Sequence, residues 1–332
     1  MGVLREWWNH LSTIAKMLVG LIGLAASVLG IYQAIPEEDE REIELLQNHS
    51  PSIWWAQNAN ADEESLVVVF DQSLANQMEQ AGTSVLQRKR IKISSTVTVT
   101  KPLALIGNVI HFEQGASLIA PNGSMTLIAP KILNPKIDVS GTNGASGNGA
   151  GDSGQPGQNG GHIFVAAAEA TNAEFVSHGG TGGNGKQGIT GKGGRNGNCD
   201  CCGKWEKANN GGPGGTGGDA GAGGNGGKVE YFFRYGSFSA QAAPGKAGNH
   251  GGRGAGGPGG RGCSGLGGKQ PTRSPGPDGL EGDPASDGLN GRVTSRKVSF
   301  REVQRAFNEW RSVPNGTIDQ LQYEIRKLAS VD

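Results

Sequence analysis

Glycine recurs at every third residue in five runs between positions 141 and 291, and this spacing restricts the chain more than any other feature. The longest unbroken run steps from Gly179 to Gly197. Others step from Gly212 to Gly227 and from Gly245 to Gly260. The run from Gly276 to Gly291 has one fault, at Ala285, and the run that starts at Gly141 slips register near Gly149. Three residues per turn is the period of a polyproline II helix. One face of such a helix is then bare of side chains, so its backbone can lie against another backbone.

The intervals between runs carry the second signal. Gly123 to Gly141, Gly161 to Gly179 and Gly227 to Gly245 each span eighteen residues. Within them Met125 and Leu127, Ile163 and Val165, and Val229 and Tyr231 occupy matching alternate positions, the pattern of half-buried strands. A further unit starts after Gly291 with RVTSRKVSF, and residues 91–120 read as one or two earlier turns without a glycine excursion. Self-similarity at a fixed interval predicts stacked units that bury their apolar faces on one another. The fold expected is mostly β, a short β-solenoid whose layers alternate with antiparallel polyproline II arms. At about 3.1 Å per residue, twenty residues give an arm of roughly 60 Å. Runs 211–227 and 251–262 have glycine at two positions in three and read as inner arms. Run 179–194 has it at one in three, carries Lys186, Gln187 and Lys192, and reads as an outer arm.

Three other readings use the same glycines. A collagen triple helix needs three parallel chains and far more proline. A flexible linker needs neither strict register nor constant spacers. Arginine–glycine tracts that bind nucleic acid interleave aromatics, which are almost missing from these runs. The stacked-arm reading accounts for register and spacing together. With its Gly-x-x runs and intervening strands, the chain resembles polyproline II glycine bundles over residues 141–291. Snow-flea antifreeze proteins, glycine-rich phage tail-fibre adhesins and the glycine-rich domains of mycobacterial PE-PGRS proteins are built this way. The resemblance implies architecture. Ice binding, which the first group implies, needs a flat uncharged face, whereas the exposed positions here carry Lys186, Lys192, Arg195, Asp219, Arg253 and Arg261.

Met17–Ile35 is nineteen residues with only Ser27 and Gln33 polar, long enough to cross a hydrocarbon core as a helix. Trp7 and Trp8 precede it. Arg5 and Lys16 flank its start, and the acidic Glu37–Glu44 follows its end. The charge asymmetry predicts a single-pass anchor with a cytoplasmic amino terminus and an exported remainder. The domains expected are an anchor over 1–40 (helix about 12–35), a small lead-in over 41–90, the solenoid with its glycine bundle over 91–300 (arms at 141–161, 179–227 and 245–291), and a helical cap over 301–332. In the lead-in, Leu66–Asp71 reads as a strand and Gln72–Gln80 as a helix ended by Gly82. Capping boxes at Ser299/Glu302 and Thr317/Gln320 start two amphipathic C-terminal helices. The first carries Phe300, Val303, Phe307 and Trp310, the second Ile318, Leu321, Ile325 and Leu328. Lys plus Arg equals Asp plus Glu at 30 each, so no overall charge draws the chain to nucleic acid.

Four cysteines, Cys199, Cys201, Cys202 and Cys263, are disulfide candidates, with zinc and free thiols as the alternatives. Counted from Gly179 and Gly245, they reach similar heights on neighbouring arms. This predicts a bridge from Cys263 to Cys201 or Cys202 and a local bridge from Cys199. No metal, cofactor or catalytic set emerges. Gly151-Asp152-Ser153-Gly154 has no histidine partner, GITGKGG lacks the hydroxyl residue and frame of a phosphate loop, and the histidines show no ligand spacing. Lys204, Trp205 and Lys207 form a possible contact tip. The function expected is a non-enzymatic, membrane-anchored, extracytoplasmic structural or adhesive protein presenting rigid arms to a ligand. The alternative is a cytosolic-facing membrane effector or sensor that forms homo-oligomers through its glycine bundle.

Overall fold

The computed structural model describes residues 67–199, 205–265, 268–299, 301–303, 305–306 and 317–329. The chain separates into Met1–Ala59 and Asn60–Asp332, and every described residue belongs to the second unit. The strands are β1 (Val67–Phe70), β2 (Val85–Gln87), β3 (Arg90–Ile93), β4 (Thr96–Thr98), β5 (Leu103–Ile106), β6 (Val109–Phe112), β7 (Ser117–Ile119), β8 (Ser124–Leu133) and β9 (Lys136–Asp138). They continue with β10 (His162–Val176), β11 (Asn198–Cys199), β12 (Trp205–Glu206), β13 (Lys228–Phe232), β14 (Tyr235–Gln241), β15 (Ser264–Gly265), β16 (Gly268–Lys269) and β17 (Arg292–Arg296). Helix α1 spans Gln72–Gln80 and helix α2 spans Ile318–Leu328.

The expected β-solenoid is corrected. Thirteen strands form one continuous sheet, and its pairings are parallel. Strands expected in separate stacked layers instead hydrogen-bond edge to edge. Met125 lies level with Ile163 and Ile163 with Val229, while Leu127, Val165 and Tyr231 form the next row. These side chains share one face with the main core, which includes Phe70, Ile91, Ile110, Phe112, Ile137 and Phe175, all at most 1% exposed. The alternate residues Ile128, Phe164 and Phe232 face the other way and are also buried. A sheet buried on both faces reads as near-continuous apolar sequence, as in LALI of β5 and the first residues of β10.

The single-pass membrane location is corrected as well. Among the described residues no helix is long and apolar enough to cross a membrane, and Met17–Ile35 lies outside them. Local helix signals give the following structures. Asp71 caps α1 by accepting from the Leu74 N–H, and Gly82 leaves it at φ +68°. Glu302 donates its N–H to the Ser299 hydroxyl and accepts from the Ser299 N–H. Residues 301–303 and 305–306 are helical, with Val303 and Ala306 buried; Phe300, Phe307 and Trp310 lie outside the described residues. Thr317 and Gln320 make a reciprocal capping box, and α2 buries Leu321, Gln322 and Ile325.

Between the strands run six extended arms with no strand pairing of their own. Residues 141–147, 179–197 and 243–262 leave the sheet; 152–160, 209–227 and 272–291 return to it. Every third N–H of an outgoing arm donates to the next outgoing arm, as from Gly141 to the His178 carbonyl and from Gly179 to the Ala243 carbonyl. Returning arms are linked likewise, from Gly154 to Asp219 and from Gly214 to Pro277. Antiparallel bonds join the two sets, from Gly183 to Gln155, Gly221 to Gly183 and Gly248 to Gly221. A chain with three residues per turn makes no internal hydrogen bonds, so its amides remain for its neighbours.

Candidate functional site

Two places concentrate chemistry: the distal end of the arms, and the groove where the arms meet the sheet. At the distal end, β11 pairs antiparallel with β12, and β15 with β16. Cys199 at the end of β11 is bonded to Cys263. The expected partner, Cys201 or Cys202, is therefore corrected to Cys199. Gly179 lies against Ala243, not level with Gly245, so the heights differ by two residues from the count made on the glycines. The bridge keeps the backbone register: Cys199 and Cys263 are 64 residues apart, as are Gly197 and the Arg261 whose carbonyl it reaches. Cys201, Cys202 and Lys204 lie outside the described residues. Trp205 is placed in β12 by its backbone, opposite Cys199, and Lys207 is exposed. Among the described residues no three His, Cys, Asp or Glu side chains are grouped to hold a metal ion.

The hairpins rest on a packed layer. Ala208 is buried; its N–H donates to the Gln270 side chain and its carbonyl accepts from Arg273 Nε at 3.0 Å. Around them Lys192, Arg195, Lys207, Arg261, Lys269 and Arg273 are all exposed, as is Glu206; the exposed Asp278 lies two residues nearer the sheet than Gly276, which is level with Lys192. Arg195 lies 3.8 Å from Glu206, both side chains more than 60% exposed, so the pair contributes little.

At the root, an open groove of about 880 Å³ is lined by Ser124, His162, Lys228 and Arg292, which sit side by side on four paired strands. Asn159, Asn225 and Asn290 flank them. Beneath lies Glu230, 5% exposed. It accepts from His162 Nε2 at 2.9 Å, Lys228 Nζ at 2.7 Å, and both Nε and an Nη of Arg326 at 2.9 and 2.7 Å. Arg326 also lies over the Phe164 ring and donates to Gln322, which in turn donates to Thr126. Burial alone would raise the Glu230 pKa. The hydrogen bonds from His162, Arg326 and Lys228 outweigh it and hold the carboxyl far below the usual carboxylate range. A carboxylate held this far toward its ionised form by four donors, three of them on Oε2, has no proton to give. It clamps α2 to the sheet, and it engages His162 and Lys228 of the groove's lining. Sequence reasoning missed this cluster. The available signal was Lys228 and Glu230 on one face of an otherwise apolar strand, level with His162 on the preceding strand.

The arms have their own polar order, also missed. Side chains accept the N–H of the next arm at the same level: Asn143 from Thr181, Asn184 from Asn249, Asn196 from Arg261, Asp219 from Asp283 and Asn225 from Leu289, at 2.7 to 2.9 Å. On the last outgoing arm, where no further arm follows, Asp287 and Asp278 accept the N–H groups of Ala247 and Gly256. Lys246 and Arg253 pair with the same two aspartates. Asp287 is held below its ordinary pKa by the Lys246 and Ala247 bonds. No protein-family model matches this chain, and no curated protein or solved structure was found to resemble it.

Proposed function

We propose that this is a non-catalytic structural or adhesive protein, in which the sheet is a base and the glycine arms are a rigid mount for the disulfide-linked tip. The observation that carries this reading is the ladder of amide bonds at every third residue, without a gap along 179–197. It runs from Gly141 at the sheet to Gly197 and Gly260 beside the tip. A mount built of backbone contacts transmits position without needing a side-chain core. The engagement of Glu230 supports the non-catalytic part, because the most buried acid among the described residues is committed to holding α2. Oligomerisation through the bundle has less support: the open edge of the last outgoing arm is closed by Asp278 and Asp287 rather than left for another chain.

Hydrogen exchange tests the mount directly. Amides of 179–197 and 209–227 should exchange as slowly as those of β8 and β10. Exchange at the rate of an unfolded chain would overturn the display reading.

A further inference from the structure

The charge on the arms is divided by height. Toward the sheet acids are in excess: Asp219, Asp278, Glu281, Asp283 and Asp287 stand with three exposed cations, Lys186, Lys246 and Arg253, the last two paired to Asp287 and Asp278. The distal end carries six exposed cations; Glu206 lies among them, and the exposed Asp278 stands two residues below the level of Lys192. The cations are spread over four stretches of chain and both sets of arms. Lys192, Arg195 and Arg261 sit on outgoing arms, Lys207 and Arg273 on or beside returning ones, and Lys269 on the second hairpin. Arg273 spends its Nε on Ala208, and Arg195 has only the long contact to Glu206. The others have no carboxylate partner among the described ion pairs.

We propose that the tip binds a linear acidic polysaccharide, with these six side chains as the contact set; this rests on the display reading. The distribution favours that partner. A flat lipid surface would meet only the hairpin end and leave Lys192 and Arg195, set back along the arm, out of contact. Single-stranded nucleic acid is held by stacking its bases on aromatic rings, and the six side chains of the contact set are all lysines and arginines. A flexible chain of carboxylates or sulfates can pass round both sets of arms and meet cations that rise about 9 Å per triplet. Opposite charge focused on a narrow projection also speeds encounter with a polyanion. The root groove is the weaker candidate, since His162 and Lys228 are engaged by Glu230.

The test uses the full chain and three fluorescent probes: heparin, anionic phosphatidylserine vesicles and a single-stranded oligonucleotide. Heparin should bind at low salt and be released as salt screens the exposed charges. The triple variant Lys192→Glu/Arg195→Glu/Arg261→Glu should weaken it at least tenfold. Lys136→Glu, an exposed change on the sheet that breaks only the pair with Glu174, should leave it within twofold. Arm hydrogen exchange is measured on the same samples. Slow arm exchange without heparin binding overturns the polysaccharide proposal and leaves the rigid mount standing, whereas fast arm exchange overturns the mount itself. Tighter binding of vesicles or oligonucleotide than of heparin assigns the tip to that class instead. Equal loss in the Lys136→Glu variant, or no loss in the triple variant, shows that the tip cations are not the contact set.

Discussion

The sheet and the arms are two solutions to packing in one chain. In the sheet, Leu127, Val165 and Tyr231 fill space, and stability comes from apolar side chains removed from water. In the arms the neighbours are backbones. A Cβ added at Gly218 would strike the Asp152 carbonyl, and one at Gly221 the Gln155 carbonyl. The sheet tolerates some exchange of shape among its side chains, whereas at positions such as Gly218 and Gly221 the arms leave no room for a Cβ; the register carries a methyl at Ala220 and Ala285, neighbours at one level. The arms also lose more conformational entropy on folding, because glycine is the freest residue when unfolded, and they have little apolar surface to offset it. Amide bonds at every third residue and the staple at the tip supply what the core supplies elsewhere.

The sharpest way to break this contrast is Gly218→Val. No rotamer can relieve a clash between Cβ and a carbonyl, so the arms on either side must separate. We expect a loss of about 4 kcal/mol or more, with rapid exchange confined to the arms in hydrogen-exchange mass spectrometry. Leu127→Ala, a cavity in the sheet, should cost about 2–5 kcal/mol and speed exchange in the strands. If Gly218→Val is tolerated, the arms are a linker and the contrast is lost.

Next in size is the staple. Cys199 and Cys263 close a segment 64 residues long, which the chain-entropy model values at about 4 kcal/mol; prior ordering of the arms makes that an upper figure. Cys263→Ser should lower the unfolding midpoint by a correspondingly smaller amount. Peptide mapping of the oxidised, nonreduced protein should find Cys199 joined to Cys263. A link from Cys263 to Cys201 or Cys202 would shift the two arms against each other and contradict the hydrogen-bond register.

The clamp on α2 belongs to the sheet, and its energetics are those of a buried ion pair. Arg326→Ala should cost about 3 kcal/mol, because it leaves Glu230 buried and short of two hydrogen bonds. The pH sign follows from the depressed Glu230 pKa. Its contribution is complete above the ordinary value of 4.5 and is lost as pH falls below that value toward the folded one. Glu230→Gln should therefore flatten the loss of stability below pH 4.5 relative to wild type, read by chemical denaturation across pH. A wild-type curve no steeper than the variant's would remove Glu230 from the clamp.

Which parts of this were legible in the sequence depended on how local the physics was. Helix α1 and both capping boxes use partners three or four residues apart, so their signals are complete in a short window. Alternating apolar residues put Met125, Ile163 and Val229 in one row. They did not say whether successive strands stack as layers or join edge to edge, because both arrangements bury the same face. Glycine spacing showed which positions touch a neighbour but not which neighbour. Gly180 and Gly183 are covered by residues 142–145; once that short arm ends, the same edge carries Lys186, Ile189, Lys192 and Arg195. The sparse run thus marks where a neighbour stops, not an outer arm. Arm 251–262, read as inner, is the last outgoing one. Its glycines face arm 179–197 on one side and the final returning arm on another, and its third edge is closed by side chains. Glu230 was illegible because Arg326 is 96 residues away on a helix.

The smallest expected effect separates the two kinds of packing most cleanly. Lys192 is committed through its backbone: its carbonyl accepts the Gly212 N–H, and Gly257 lies so close that a Cβ there would strike it. Its side chain is exposed and makes no described contact within the bundle. Lys192→Ala should then cost about 0.5 kcal/mol or less, although the residue's carbonyl is in the packed ladder. Lys192→Gly should cost somewhat more, about 0.5–1 kcal/mol, solely because the unfolded chain gains freedom. Denaturant midpoints at equal slope would resolve the two. A large loss in Lys192→Ala would mean that side chains stabilise the arms after all, and the distinction between a core of side chains and a core of backbones would fail at its most exposed point.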